Sequence, residues 1–159
     1  MIKAPKTIII SGTSRNVGKT TYAQKIIREF KIETPIAIKI SSHFHSHNYK
    51  MKIVDVNDDY KIWEEINPNE NTDSSKMLKA GANKVFYIES KDESLPKVIT
   101  VLQRIIDFNN RIIIESAAIR RYIQPKEFVL LYSEEFSKVK KSMLDIEPLI
   151  DKRILTSYY

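Results

Sequence analysis

The stretch Thr7-Ile8-Ile9-Ile10-Ser11-Gly12-Thr13-Ser14-Arg15-Asn16-Val17-Gly18-Lys19-Thr20-Thr21 constrains this chain more than any other. Its β-branched start reads as a buried strand, and Gly18 to Phe30 then sets Ala23, Ile26, Ile27 and Phe30 at helical spacing. The loop between them holds two of the chain's three glycines. A chain of this length at the average usage of roughly 7% would carry about eleven. Glycine is therefore concentrated where a backbone must bend or come close to something else. Strand, loop and helix in that order commit the first thirty residues to a β-loop-α unit.

The rest of the chain repeats the theme. Short β-branched runs at Pro35 to Ile40, Lys84 to Ile88, Arg111 to Glu115 and Phe128 to Tyr132 alternate with helical patterns at Thr72 to Ala80 and Leu95 to Phe108. With Thr7 to Ser11 this makes about five strands, mostly continuous apolar runs that suit a mainly parallel sheet covered on both faces. The expected class is a three-layer α/β fold. Tyr49 to Glu65 alternates on both sides of Asn57-Asp58-Asp59 and predicts a solvent-facing β-hairpin, an insertion over residues 49 to 65. Glu134 to Met143 puts Phe136, Val139 and Met143 on one side of an expected charged helix, followed by a Pro148 break. At 159 residues the chain is one domain, 1–159, and the absence of cysteine excludes disulfides, thiolate metal sites and cysteine nucleophiles.

The loop ending Gly18-Lys19-Thr20, between a strand and a helix, matches a P-loop in its structural context. Backbone N–H groups of residues 12 to 21 converge on an anion, and the helix dipole adds about half a positive charge. Lys19 would reach the β- and γ-phosphates, and the Thr20 hydroxyl would ligate Mg²⁺ between them. Five residues separate Gly12 from Gly18, one more than usual, and Thr13 stands where the first glycine is expected. Gly12-Thr13 followed by Val17-Gly18-Lys19-Thr20 resembles the G-T-x3-V-G-K-T loop of the dethiobiotin synthetase and cobyrinate amidotransferase group. On this reading Gly12, Thr13, Ser14, Arg15, Asn16, Val17, Gly18, Lys19, Thr20 and Thr21 form the nucleotide-binding loop of a P-loop NTPase fold.

Ligands of open α/β sheets lie at the C-terminal ends of the strands, which brings two more residues forward. Glu115 ends an apolar strand as a Walker B acid does, where it would hold Mg²⁺ or polarise a water; the alternative is a surface carboxylate. Lys39 ends its strand as a cation for a phosphate or an acidic substrate, or as an ordinary solvated lysine. His43, His45 and His47 share one face if extended and admit a transition metal, or are plain surface histidines. Arg15, Arg120 and Arg121 are candidates for an internal arginine finger, with surface pairing as the alternative.

Ala37-Ile38-Lys39 with histidines soon after, then Asp73-Ser74-Ser75-Lys76-Met77-Leu78-Lys79-Ala80-Gly81-Ala82, then Ile114-Glu115, is similar to the adapter family of molybdopterin-guanine dinucleotide biosynthesis. The similarity spans roughly residues 7 to 120. It implies a nucleotide-binding protein in which Asp73 is a candidate metal ligand beside Thr20 and Glu115, or a phosphate-side ligand. Ile40-Ser41-Ser42 precedes His43, and Ser116 stands where that family has glycine.

Two functions follow as expectations. One is a Mg²⁺-dependent enzyme that binds ATP, or GTP, and transfers a phosphoryl group to water or a small acidic substrate, with Lys19, Lys39 and Glu115 acting on it. The other is a slowly hydrolysing nucleotide-binding adapter that a partner protein reads through the hairpin, with a role in molybdenum-cofactor biosynthesis. A second copy of the chain is a further candidate partner. The formal charge of +6 suits anionic ligands. Nucleic acid is disfavoured, because acids are interleaved with the basic residues and no aromatic stacking motif accompanies them. No apolar run approaches a membrane span, and Met1 to Lys6 leads directly into a strand signal, so a soluble cytoplasmic protein without membrane contact is expected.

Overall fold

The computed structural model describes residues 1–45 and 50–157. In chain order the elements are β1 (Ile2–Gly12), α1 (Lys19–Glu29), β2 (Ile36–Ser41), β3 (Lys52–Val56), β4 (Tyr60–Glu65), α2 (Asp73–Lys79), β5 (Lys84–Ser90), α3 (Leu95–Ile105), β6 (Ile112–Glu115), β7 (Ile123–Tyr132) and β8 (Lys152–Leu155). The class is α/β, with one sheet ordered β3-β4-β5-β2-β6-β1-β7-β8. From β5 through β8 in that order all neighbours are parallel, while β4 runs antiparallel to β5 and β3 antiparallel to β4.

Three expectations are corrected here. The sheet has eight strands and is mixed, rather than about five and mainly parallel. The hairpin exists over Lys52 to Glu65, but β4 pairs along its length with β5 and buries Tyr60, Ile62 and Trp63. It therefore extends the sheet and is not a solvent-facing flap; Tyr49, its expected first residue, lies outside the described residues. The stretch Glu134 to Met143 is no helix. It is an irregular crossing that ends in a 3-10 turn at Lys141–Met143, and the chain then adds β8 at the sheet edge.

Two apolar clusters lie on opposite sides of the sheet, because successive strand residues face opposite ways. Ile8, Ile10, Ala37, Val85, Ile113 and Val129 pack with Ala23, Ile26 and Ile27 of α1 and Met77 of α2. Ile9, Ile36, Ile38, Ile112, Ile114 and Phe128 pack with Leu95, Val98, Ile99 and Leu102 of α3. Each of the Ile, Val, Leu, Met and Phe side chains among these contributes roughly 1.5–3 kcal/mol on burial. Local signals set the helix ends. Pro96 opens α3, Thr72 caps α2 by accepting the Ser75 N–H at 3.2 Å, and Gly81 follows it with φ 116°, a left-handed value that suits glycine. No helix among the described residues is long and apolar enough to cross a membrane.

Candidate functional site

The order of the central strands builds the site. β6 lies between β1 and β2, so their C-terminal ends, Gly12, Glu115 and Ser41, come side by side. Register makes Glu115 the direct neighbour of Ile10 on one side and of Lys39 on the other. A cavity of about 890 Å³ opens over these ends. It reaches from the loop after β1 to Ser90 and Asp92 after β5, three strand spacings or roughly 14 Å away.

The loop between β1 and α1 is shaped by two left-handed residues, Asn16 with φ 60° and Gly18 with φ 97°. Gly18 is the N-cap of α1, no side chain caps the helix, and no acid stands in its first turn. Within the helix itself nothing compensates the positive end of its dipole; the carboxylate that faces it is Glu115 of β6. Gly12 is required for a different reason, since a Cβ there would lie 2.5 Å from Val17 Cγ1.

Not every loop residue faces the cavity. Gly12, Arg15, Asn16, Gly18, Lys19, Thr20 and Thr21 line it. Val17 is buried against α1. Thr13 turns away, its Oγ1 donating to the Phe136 carbonyl at 2.6 Å, and Ser14 Oγ donates to the neighbouring Arg15 carbonyl.

Around the loop the charged groups are connected. Thr20 Oγ1 donates to Glu115 Oε2 at 3.2 Å, and Lys39 Nζ donates to Glu115 Oε1 at 2.7 Å. Asp73, in the first turn of α2, lies 3.3 Å from the same ammonium. Glu115 is only 3% exposed, so its charge depends on these partners. Burial alone would lower the Lys39 pKa, but Glu115 and Asp73 outweigh it and hold the ammonium above the ordinary lysine value. Lys19 goes the other way. Burial pushes it down, Lys39 and Lys140 add to that, and Glu115 and Asp73 oppose it.

The remaining candidates fall differently. Arg121 lines the cavity but is held by Asp145 at 2.7 Å and Asp92 at 3.6 Å. Arg120 bonds the Ile123 carbonyl. His43 and His45 line the cavity, while His47 lies outside the described residues. Among the described residues no three His, Asp or Glu side chains are grouped to hold a metal by themselves. Thr20 with Glu115 nevertheless suits Mg²⁺, which keeps several waters and takes one or two carboxylates.

Some site residues have no sequence signal. Glu89 is wholly buried at the end of β5, where it accepts from the Tyr87 hydroxyl at 3.0 Å and the His45 N–H at 3.3 Å. Glu65 accepts from Ser74 Oγ at 2.8 Å and Thr72 Oγ1 at 3.3 Å, fixing the start of α2 and with it Asp73. Lys140 reaches the cavity from the irregular crossing. A scan against protein-family models finds no match to the chain, and a search of curated proteins finds none either.

Proposed function

We propose that this chain is a P-loop nucleotide-binding protein that takes Mg²⁺ and a purine nucleoside triphosphate, ATP ahead of GTP, and that it hydrolyses or transfers the γ-phosphoryl group. The observation that carries the reading is the contact of Thr20 Oγ1 with Glu115 Oε2 at 3.2 Å, in the first turn of a helix that starts after Gly18 with no side-chain cap. An anion-binding helix end, a hydroxyl and a buried carboxylate meet at one place, and that combination suits a phosphate-bound divalent ion.

When bound, Mg²⁺ would be held by Thr20 and Glu115 and would neutralise part of the negative charge of the phosphates. The chain's own residues do the rest. Backbone N–H groups of the loop and of the start of α1 orient the phosphates, Thr13 excepted because its N–H donates to the Leu131 carbonyl at 3.0 Å, and Lys19 balances their charge. Lys39, between Glu115 and Asp73, keeps the carboxylate side of the cavity neutral enough for a polyanion to approach. The far half of the cavity, near His43, Tyr87 and Ser90, leaves room for an acceptor.

A second reading, the nucleotide-dependent adapter of the molybdopterin-guanine dinucleotide type, draws on β3. That strand is an open sheet edge carrying Ile53 at 67% and Val56 at 44% exposure, apolar enough for a partner protein to cover. Titration with non-hydrolysable ATP and GTP analogues, with and without Mg²⁺ and against Lys19→Ala, tests the binding claim. Binding that requires both Mg²⁺ and Lys19 is expected. No binding by the wild type would overturn it. Turnover without a partner protein would favour the enzyme over the adapter.

A further inference from the structure

The cations lining the cavity differ in whether the protein neutralises them. Lys39 has Glu115 and Asp73, and Arg121 has Asp145 and Asp92. Among the described residues Lys19, Lys140 and Arg15 form no salt bridge, although all three line the cavity. Like charges facing one space repel; Glu115 and Asp73 offset this at Lys19 but already carry Lys39, and an anion entering the cavity relieves the rest.

Lys140 is exposed, but the chain fixes its backbone on both sides. Val139 packs on the apolar core, and Met143, 3% exposed, donates its N–H to the Lys140 carbonyl at 2.9 Å. Four residues earlier the Phe136 carbonyl receives Thr13 Oγ1 at 2.6 Å and the Ser133 N–H at 3.2 Å. The crossing that carries Lys140 is thus tied to the loop that carries Lys19.

We propose that Lys140 is a second phosphate-binding cation, reaching the terminal phosphate of a bound triphosphate from the irregular crossing after β7. The proposal rests on the nucleotide reading above and deepens it. Lys140 lies close enough for its charge to act on Lys19. Lys19 approaches from the loop and Lys140 from the crossing, so the two would bracket the end of the polyphosphate, where charge gathers during phosphoryl transfer. Thr13 then has a stated purpose as the tether that sets the distance between the two cations.

The test is calorimetric titration of wild type, Lys140→Ala, Lys140→Arg and Lys138→Ala with Mg²⁺ and a non-hydrolysable ATP analogue, ADP or inorganic tripolyphosphate. Lys138 is exposed and does not line the cavity, so its variant carries the same charge change without the contact. Lys140→Ala is expected to weaken the ATP analogue and tripolyphosphate by about tenfold or more, with ADP changed less than about twofold. Lys140→Arg should restore most of the loss, and Lys138→Ala should match wild type. Equal affinities for Lys140→Ala and Lys138→Ala would overturn the proposal and leave nucleotide binding standing. Tripolyphosphate bound through Lys140 without any nucleotide binding would overturn the nucleotide reading and keep the cation pair. No binding of any probe by the wild type overturns both. Ligand-free Lys140→Ala should melt at or above the wild-type temperature, since it removes only repulsion; a clear fall would make Lys140 structural and sink the idea.

Discussion

Lys39 and Glu115 are direct cross-strand neighbours, and their side chains meet at 2.7 Å with the carboxylate almost wholly out of water. Removing one partner of such a pair leaves the other buried and uncompensated. Lys39→Met is expected to cost about 3–5 kcal/mol. The double variant Lys39→Met with Glu115→Gln should cost clearly less than the sum of the singles, read by urea denaturation. Additivity within about 0.5 kcal/mol would sink the claim. Because the folded state holds the Lys39 pKa above its unfolded value, this stability is fully present below that value. It is lost as pH rises through the folded one, so the difference between wild type and Lys39→Met should stay constant near neutrality and shrink only in strong alkali.

Lys19 should show the opposite sign. Its pKa is lowered in the folded state, so the unfolded chain binds more protons between the two values and stability rises with pH across that window. Near pH 7 the charged ammonium is a burden on the ligand-free fold. Lys19→Met should melt above wild type there, with about 2–4 °C for each kcal/mol gained, while binding no nucleotide. The gap should narrow as pH climbs. A variant that melts below wild type at pH 7 would contradict this.

Gly12→Ala places a methyl 2.5 Å from Val17 Cγ1 and 3.0 Å from the Lys19 side chain. An overpacking cost of about 1–3 kcal/mol is expected, together with loss of phosphate binding as the loop is displaced. Adding Val17→Ala opens the space again. Denaturation of the double variant should show Gly12→Ala costing less in that background, and an unchanged cost would mean that Val17 is not the obstacle.

Thr13→Val keeps the shape of the side chain and deletes the donor to Phe136. The loss should be about 1 kcal/mol of stability. Affinity for the ATP analogue should fall more than affinity for ADP, since the tether sets where Lys140 stands. Titration of both ligands decides it, and an equal effect on the two would separate Thr13 from the terminal phosphate.

The central strands were legible because β-branched runs such as Ile112 to Glu115 have few alternatives once buried on both faces. The hairpin was legible as a hairpin, yet alternation says nothing about which strand it pairs with, so its docking on β5 was not. Phe136, Val139 and Met143 mimic helical spacing, but in the irregular segment only Val139 and Met143 reach the core while Phe136 stays 48% exposed. β8 has four residues, two of them charged, and falls below any periodicity test. In the site, Glu115 and Lys39 could be read from strand ends alone. Lys140 could not, because a lysine in a polar run looks like every other one until the chain folds back to the loop.

The insertion of β6 between β1 and β2 has a consequence for synthesis on the ribosome. The first forty-one residues contain the whole glycine loop and the two strands that flank β6, but those strands are not neighbours of each other. An emerging chain must keep a gap open, or leave the two strands unpaired, for about seventy further residues until Ile112 to Glu115 arrives. Residue 115, which brings the carboxylate, is also the one that completes the sheet there. Closure of the sheet's centre and creation of the site are one event, late in the chain, and no N-terminal fragment that stops short of β6 has either.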